Sequence, residues 1–225
     1  MSIDQVLALP EQLSFSAQSN GGLLQASRLQ QGIIRLLDLL IAAGALFLLS
    51  PFFLVLPVLI KLNSPGKAFF VQRRLGLGGR PFHLLKFRTM RENRNLGRWT
   101  VKNDPRITRL GKLLRQLHLD EIPQLINVIR GDNSIIGPRA YTWEVHDQVC
   151  RILPKFNNRL LVKPGLTGWS DLGGRTGSNS LDHHAYLFLA YDSRYLTSPL
   201  TVDMYLGFVA RTIKYFLFEV RDRAY

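Results

Sequence analysis

The stretch Leu117-His118-Leu119-Asp120-Glu121-Ile122-Pro123-Gln124-Leu125 sets two adjacent carboxylates just ahead of a proline and an apolar run. Pro123 suits the first turn of a helix and disfavours helical geometry at Ile122. Leu125, Ile126, Val128 and Ile129 continue at helical spacing, and Gly131 supplies a stop. Asp120 and Glu121 are therefore expected at or just before a helix N-terminus, where backbone N–H groups favour an ionised carboxylate and attract phosphate. Beside a phosphate, a carboxylate can attack phosphorus or hold a divalent cation. An isolated Asp-Glu pair can also be no more than a helix cap. The rest of the chain decides between these readings.

On the N-terminal side lies a long apolar segment. From Ile33 to Ile60 only Arg35 and Asp38 interrupt it, and Leu39 to Ile60 would measure roughly 33 Å as a straight helix, enough to cross the hydrocarbon of a bilayer. Ser50-Pro51 sits near its centre and Pro57 follows, so the helix should break there, with the serine hydroxyl able to satisfy a freed carbonyl. Cations flank both ends: Arg28 and Arg35 before, Lys61, Lys67, Arg73 and Arg74 after. That symmetry gives little preference for crossing; the residues alone admit a spanning and a re-entrant helix equally. Residues 1 to about 30 read as a polar tail, 31–62 as the membrane segment and 63–225 as the main body, the catalytic domain if the Asp120–Glu121 pair does chemistry. No cleavable signal peptide is read, since the N-terminus lacks a charged region before an early apolar run.

The 225 residues carry a net charge of +13, although 46% are hydrophobic. The charge is concentrated between Lys61 and Arg115, with fifteen Lys or Arg against Glu92 and Asp104. Basic charge directly after an apolar segment points to phosphate and anionic lipid, with nucleic acid or another anionic polymer as the competing partner. The single Cys150 excludes an intrachain disulfide framework and a cysteine-based zinc site. Short strands at Phe69–Gln72 and Phe82–Phe87 flank the turn Gly76-Leu77-Gly78-Gly79, predicting a hairpin, and alternation puts Lys86 and Arg88 on one face, where two cations can clamp a diphosphate. Asp104-Pro105-Arg106 marks a turn. A helix through Ile107, Leu110, Leu113, Leu114 and Leu117 then carries Arg106, Arg109, Lys112 and Arg115 as one basic face, with Arg115 close to Asp120.

Beyond the acidic pair, Asn133–Ile136 reads as a strand ending in the rigid turn Gly137-Pro138-Arg139, which presents an arginine suited to bidentate phosphate binding. Lys163–Trp169 reads as a turn-rich loop and Asp171–Ser180 as a glycine-rich mobile one. Asp182, His183 and His184 read as surface residues rather than metal ligands. Tyr186–Tyr195 reads as helical. Val202–Phe218 is aromatic, basic and amphipathic, which fits either an interfacial helix or a core helix. The fold class is α/β, with α+β as the alternative, in a small membrane-associated domain.

Seven motifs in order carry a resemblance: Ser50-Pro51; Asn63-Ser64-Pro65-Gly66; Lys86-Phe87-Arg88-Thr89-Met90; Asp104-Pro105-Arg106-Ile107-Thr108; Leu119-Asp120-Glu121-Ile122-Pro123-Gln124; Gly137-Pro138-Arg139; and Lys163-Pro164-Gly165-Leu166-Thr167-Gly168. Across residues 30 to 220 the chain resembles the monotopic phosphoglycosyl transferases, the bacterial sugar transferase family. The resemblance implies a re-entrant helix broken at Ser50-Pro51 and an enzyme on the cytoplasmic face of the bacterial inner membrane. It implies transfer of a sugar 1-phosphate from a UDP-sugar to a polyprenyl phosphate, with Mg²⁺ and without nucleic acid, and leaves homo-oligomerisation open. By the same resemblance Asp120 is the nucleophile that forms a phosphosugar-aspartate intermediate and releases UMP, Glu121 binds Mg²⁺, and Lys86, Arg88, Arg115 and Arg139 position phosphates. Three features depart from the family pattern: His118 where a small hydroxyl residue is usual, Ala140 in place of a proline, and the Trp169–Arg175 loop with Asp171.

Overall fold

The computed structural model of the chain describes residues 27–91, 104–173, 180–198 and 200–214. Helix α1 (Arg28–Leu48) opens on a capping box: the Ser27 hydroxyl accepts from the Gln30 N–H at 3.2 Å, and the Gln30 side chain accepts from the Ser27 N–H at 3.3 Å. This cap starts the helix ahead of the apolar run, within the last residues of the expected polar tail. The helix ends at Leu49 (φ −91°, ψ 5°), and α2 (Ser50–Asn63) begins at once with Pro51 in its first turn. Proline has no N–H to return to Phe47, four residues back. The Ser50 hydroxyl donates to that carbonyl instead, at 2.8 Å. The break predicted at Ser50-Pro51 is therefore present, one residue earlier in backbone terms.

Both outer ends of this apolar pair are tied to one body. Arg35 donates to the carbonyls of Val128 (2.7 Å) and Ile129 (2.8 Å). Asp38 is buried, and its Oδ1 accepts from the Ser134 hydroxyl, the Ile135 N–H and the Tyr205 hydroxyl at 2.9, 2.8 and 2.8 Å. At the other end Leu56 and Ile60 enter the main core beside Ala42, Phe87, Leu114, Val128 and Tyr205. Between these anchors Phe47, Leu48 and Leu54 are 85%, 76% and 76% exposed, so the bend itself is an apolar projection.

Strands β1 (Phe69–Leu75) and β2 (Pro81–Phe87) form the expected antiparallel hairpin, pairing from Phe69 with Phe87 to Leu75 with Pro81. Its turn passes through Gly78 (φ 64°) and Gly79 (φ 74°), left-handed positions that favour glycine. Asn127, fully buried, locks β2 to the next helix layer: its Oδ1 accepts from the Leu85 N–H at 3.0 Å and its Nδ2 donates to the His83 carbonyl at 2.7 Å.

Helix α3 (Arg109–Gln116) is shorter than the periodicity predicts, because the Thr108 hydroxyl caps it by accepting from the Gly111 N–H at 2.9 Å. Arg106 thus lies outside the helix, paired with Asp104 (Nη2–Oδ2 2.5 Å), and only Arg109, Lys112 and Arg115 ride on it. A left-handed residue, His118 (φ 53°), leads into a 3-10 turn, Leu119–Glu121, and then α4 (Gln124–Arg130), which stops at Gly131 (φ 89°) as expected. Ile122 is helical (φ −49°, ψ −40°) despite the following proline. It joins two helical turns directly while its side chain is buried in the core.

Strand β3 (Ser134–Ile136) pairs in parallel with β4 (Gly165–Thr167), a strand within the segment read as a loop. The crossover contains α5 (Trp143–Ile152) and a 3-10 stretch, Pro154–Leu161. Then come α6 (Trp169–Gly173), α7 (Leu181–Leu187), a π-helical stretch at Phe188–Asp192, α8 (Arg194–Thr197) and α9 (Val202–Lys214). The class is mixed helix and sheet, dominated by helices around two-stranded sheets. In α9, Tyr205 and Phe208 are core while Leu206 and Ile213 are exposed; residues 215–218 of the expected final helix lie outside the described residues. Residues 174–179 of the glycine-rich loop do too.

Candidate active site

Asp120 lies in the 3-10 turn between His118 and α4, with 7% of its surface exposed. Around it converge Lys86 from the end of β2, Arg115 from the last turn of α3, and Arg139 just after β3. Nζ of Lys86 is 2.5 Å from Oε1 of Glu121, and Nη2 of Arg139 is 4.0 Å from the same oxygen. The other terminal nitrogen of Arg139 is 3.8 Å from Oδ1 of Asp171. Arg115 is held by donation from Nε to the Thr89 hydroxyl at 2.8 Å. Lys86, Glu121, Arg139, Gln124 and Arg74 line one open cleft.

The two adjacent carboxylates are driven apart in acidity. Burial pushes Asp120 up to about 6, with Glu121 adding to the rise and Lys86, Arg115 and Arg139 opposing it. Burial would also raise Glu121, but Lys86 and Arg139 outweigh it and hold the carboxyl at about 2. Asp171 is raised to about 7 by burial, with Arg139 pulling the other way. Burial, helped by Lys86 and Arg139, lowers His118 against the pull of Glu121 and so favours the neutral ring.

Four of the five cations and carboxylates predicted to act with Asp120 gather here: Lys86, Glu121, Arg115 and Arg139. Arg88 does not join them. It is 5% exposed, and its guanidinium donates to the carbonyls of Ser64 and Pro65, both at 2.6 Å. The strand ends at Phe87, so the alternation that would put Arg88 beside Lys86 ends with it. A buried guanidinium needs acceptors, and the carbonyls just past the C-terminal end of α2 supply them. The expected phosphate clamp of Lys86 with Arg88 is thus replaced by a structural tie between β2 and α2.

The structure adds residues that no motif signalled. Arg74 on β1 donates to the Ala140 carbonyl at 2.9 Å and, through burial and the nearby Arg139, is lowered to about 10. Arg159 donates to the Arg139 carbonyl, faces Asp192 at 3.5 Å and lies over the rings of Tyr141 and Phe156 at 4.2 and 4.6 Å. Asp171, expected in a mobile loop, is instead in the first turn of α6. His184 is half-buried rather than fully on the surface: its Nδ1 is 3.0 Å from the Tyr141 hydroxyl, and burial, reinforced by Arg139, lowers it to about 3.

Oxygen donors suit Mg²⁺, which commonly takes one or two carboxylates together with substrate phosphates. The Asp120–Glu121 donor set fits that pattern, and Glu121 stays ionised. Among the described residues no group of three or more His, Cys, Asp or Glu is spaced to hold a metal by itself.

A buried carboxylate beside an ionised one, with Lys86, Arg115 and Arg139 around them, invites comparison with known proteins. The model of the bacterial sugar transferase family matches residues 29–219. The UDP-glucose:undecaprenyl-phosphate glucose-1-phosphate transferase of Caulobacter vibrioides is 39% identical over 194 residues, covering 85% of this chain and 71% of that protein. A Xanthomonas campestris pv. campestris protein of the same name is 43% identical, covering 62% of this chain and 30% of its own. The UDP-N-acetylgalactosamine-undecaprenyl-phosphate N-acetylgalactosaminephosphotransferase of Aeromonas hydrophila is 42% identical, covering 67% and 36%. The chain thus spans about a third of the length of the last two relatives. Since the family match runs through both apolar helices and every residue of the cleft, the chain belongs to the bacterial sugar transferase family.

Proposed function

We propose that the chain transfers a sugar 1-phosphate from a UDP-sugar to a polyprenyl phosphate such as undecaprenyl phosphate, beginning a polysaccharide or glycoconjugate. The observation that carries this reading is the buried Asp120 carboxylate facing Lys86, Arg115 and Arg139 beside Glu121. An anionic nucleophile meets an anionic diphosphate only where fixed positive charge offsets their repulsion. An Asp120 oxygen attacks the phosphorus that bears the sugar. The bond from that phosphorus to the bridging oxygen breaks, and UMP leaves with the electron pair. A phosphate oxygen of the lipid then attacks the same phosphorus, the aspartyl bond breaks, and the carboxylate is restored. Lys86 and Arg139 hold the diphosphate, and Arg115 stabilises the ionised nucleophile. Glu121, with Asp120, would hold Mg²⁺, which when bound neutralises charge on the phosphates.

The apolar pair α1 and α2 enters the membrane and returns at the Ser50-Pro51 break, leaving the body at the cytoplasmic face. Supporting this are the anchors of both outer ends on one body and the exposed Phe47, Leu48 and Leu54 at the bend. The competing anionic-polymer reading loses ground because Arg74, Arg88 and Arg106 are engaged within the protein. The test is UMP release by the purified chain with Mg²⁺, undecaprenyl phosphate and a panel including UDP-glucose and UDP-N-acetylgalactosamine. Omission of the lipid is expected to leave a phosphosugar adduct on Asp120, visible by peptide mass spectrometry. UMP release that continues undiminished in Asp120→Asn overturns the reading.

A further inference from the structure

We propose that Asp171 is a positioning residue that aims the Arg139 guanidinium at the phosphate bound beside Asp120, an inference that rests on the transferase reading above. Arg139 is drawn two ways at once, Nη2 toward Glu121 at 4.0 Å and Nη1 toward Asp171 at 3.8 Å. Without Asp171, Arg139 would be drawn toward Glu121, a carboxylate that Lys86 already occupies at 2.5 Å, with Asp120 and Asp192 among the other charges it feels. A second carboxylate, reached by the other terminal nitrogen, keeps the planar fork from turning wholly onto Glu121 and so holds it open for bidentate phosphate recognition.

The backbone around these two side chains is built for a fixed separation. A Cβ on Gly165 would come within 2.0 Å of the Gly137 nitrogen, and one on Gly168 within 2.3 Å of the Gly137 carbonyl oxygen. The segment before Arg139 and the segment before Asp171 therefore pack backbone against backbone, at a distance only glycine permits. The Tyr195 hydroxyl accepts from the Trp169 N–H at 3.2 Å and pins the start of α6. From behind, Arg159 donates to the Arg139 carbonyl. Asp171 itself is largely buried, its side chain only 14% exposed, and a buried carboxylate is costly unless an opposite charge answers it. Arg139 answers it and is among the charges that favour ionised Asp120. Asp171 thus acts on the nucleophile's surroundings through Arg139, not by touching the reacting atoms.

The experiment is a double-mutant cycle on the full chain in detergent, reading kcat/KM for UDP-glucose or UDP-N-acetylgalactosamine by UMP release. With Arg139 intact, Asp171→Asn is expected to lower kcat/KM about tenfold, and with Arg139→Ala already present by less than about twofold, the non-additivity of residues acting through one contact. Single-turnover accumulation keeps the slow Arg139→Ala rates readable. Asp171→Ser is run beside it, so that a folding defect peculiar to one variant shows as a disagreement in melting temperature. Equal losses in both backgrounds would mean a merely structural role and overturn the proposal, as would unchanged activity with Arg139 intact. An unaltered chain that releases no UMP from either sugar nucleotide sinks the transferase reading and this inference together. Failure of the cycle alone leaves that reading standing.

Discussion

Glu121 and Lys86 form the tightest ion pair at the cleft, Oε1 to Nζ at 2.5 Å, and Arg139 approaches the same oxygen at 4.0 Å. Burial by itself would favour a protonated Glu121; the cations reverse that. Lys86→Met removes the nearest cation and leaves a buried carboxylate to Arg139 at 4.0 Å and to Arg74 beyond it. The expected loss in kcat/KM is about 10²-fold, the scale of removing one charge-stabilising donor from an active site. Lys86→Arg, which keeps the charge, is expected to recover part of it. Steady-state UMP release for the three proteins checks this, and Lys86→Met activity within twofold of the parent would contradict it.

The pH dependence follows from Asp120. Its folded-state carboxyl is raised to about 6 by burial, so it is ionised at pH 7.5 and mostly protonated at pH 5. On the proposed mechanism Asp120 must be ionised to attack, so kcat/KM for the nucleotide sugar is expected to fall by about tenfold per unit below pH 6. It is expected to level off only above about pH 7, where Asp171, raised to about 7, is ionised as well. Arg115 is one of the charges that pull Asp120 down. Arg115→Ala should therefore move the acidic limb to higher pH, and a limb that stays in place would show that Arg115 does not face the nucleophile.

Much of this was legible in the sequence where one residue type has one local use. Ser50-Pro51 announced the break, the Gly78-Gly79 turn its hairpin, and Gly131 the end of α4, because each follows from backbone chemistry within a few residues. Lys86, Arg115 and Arg139 were found from charge and spacing. Arg88 was misplaced because strand alternation says which face a side chain takes only while the strand lasts, and β2 stops at Phe87. Ile122 is helical against the pre-proline preference because burial in the core outweighs a local bias. Asp171 and Arg159 were missed for another reason. Their roles come from a parallel pairing between Ser134–Ile136 and Gly165–Thr167, a long-range contact with no local signature.

Asp38 holds the first apolar helix to the body through one oxygen that accepts from Ser134, Ile135 and Tyr205. Tyr205→Phe removes one of these bonds and is expected to cost about 1 kcal/mol, whereas Asp38→Ala strands all three donors and should cost roughly 3 kcal/mol. Denaturant melts in detergent measure both. Because β3 leads directly to Arg139, Asp38→Ala should also lower kcat/KM while Tyr205→Phe leaves it nearly unchanged. Equal destabilisation by the two variants would mean that Asp38 is not the shared acceptor.

The bend at Leu49–Pro51 decides topology. Uninterrupted, residues 28–63 would form a helix roughly 54 Å long, whose ends could not both reach one body. Yet Arg35 is bonded to α4 and Ile60 lies in the same core. With Cys150→Ser as background, single cysteines at Gln31 and Lys67 are therefore expected to react from the same side of sealed vesicles. The Ser50 hydroxyl supplies the donor that Pro51 lacks, so Ser50→Ala alone should cost about 1 kcal/mol and keep that pattern. Ser50→Ala with Pro51→Ala restores a backbone donor and removes the steric cause of the break. That double variant should lose the packing of Leu56 and Ile60, melt lower than Ser50→Ala, and label its two cysteines from opposite sides where it inserts. Opposite-side labelling of the unaltered bend would contradict the re-entrant arrangement.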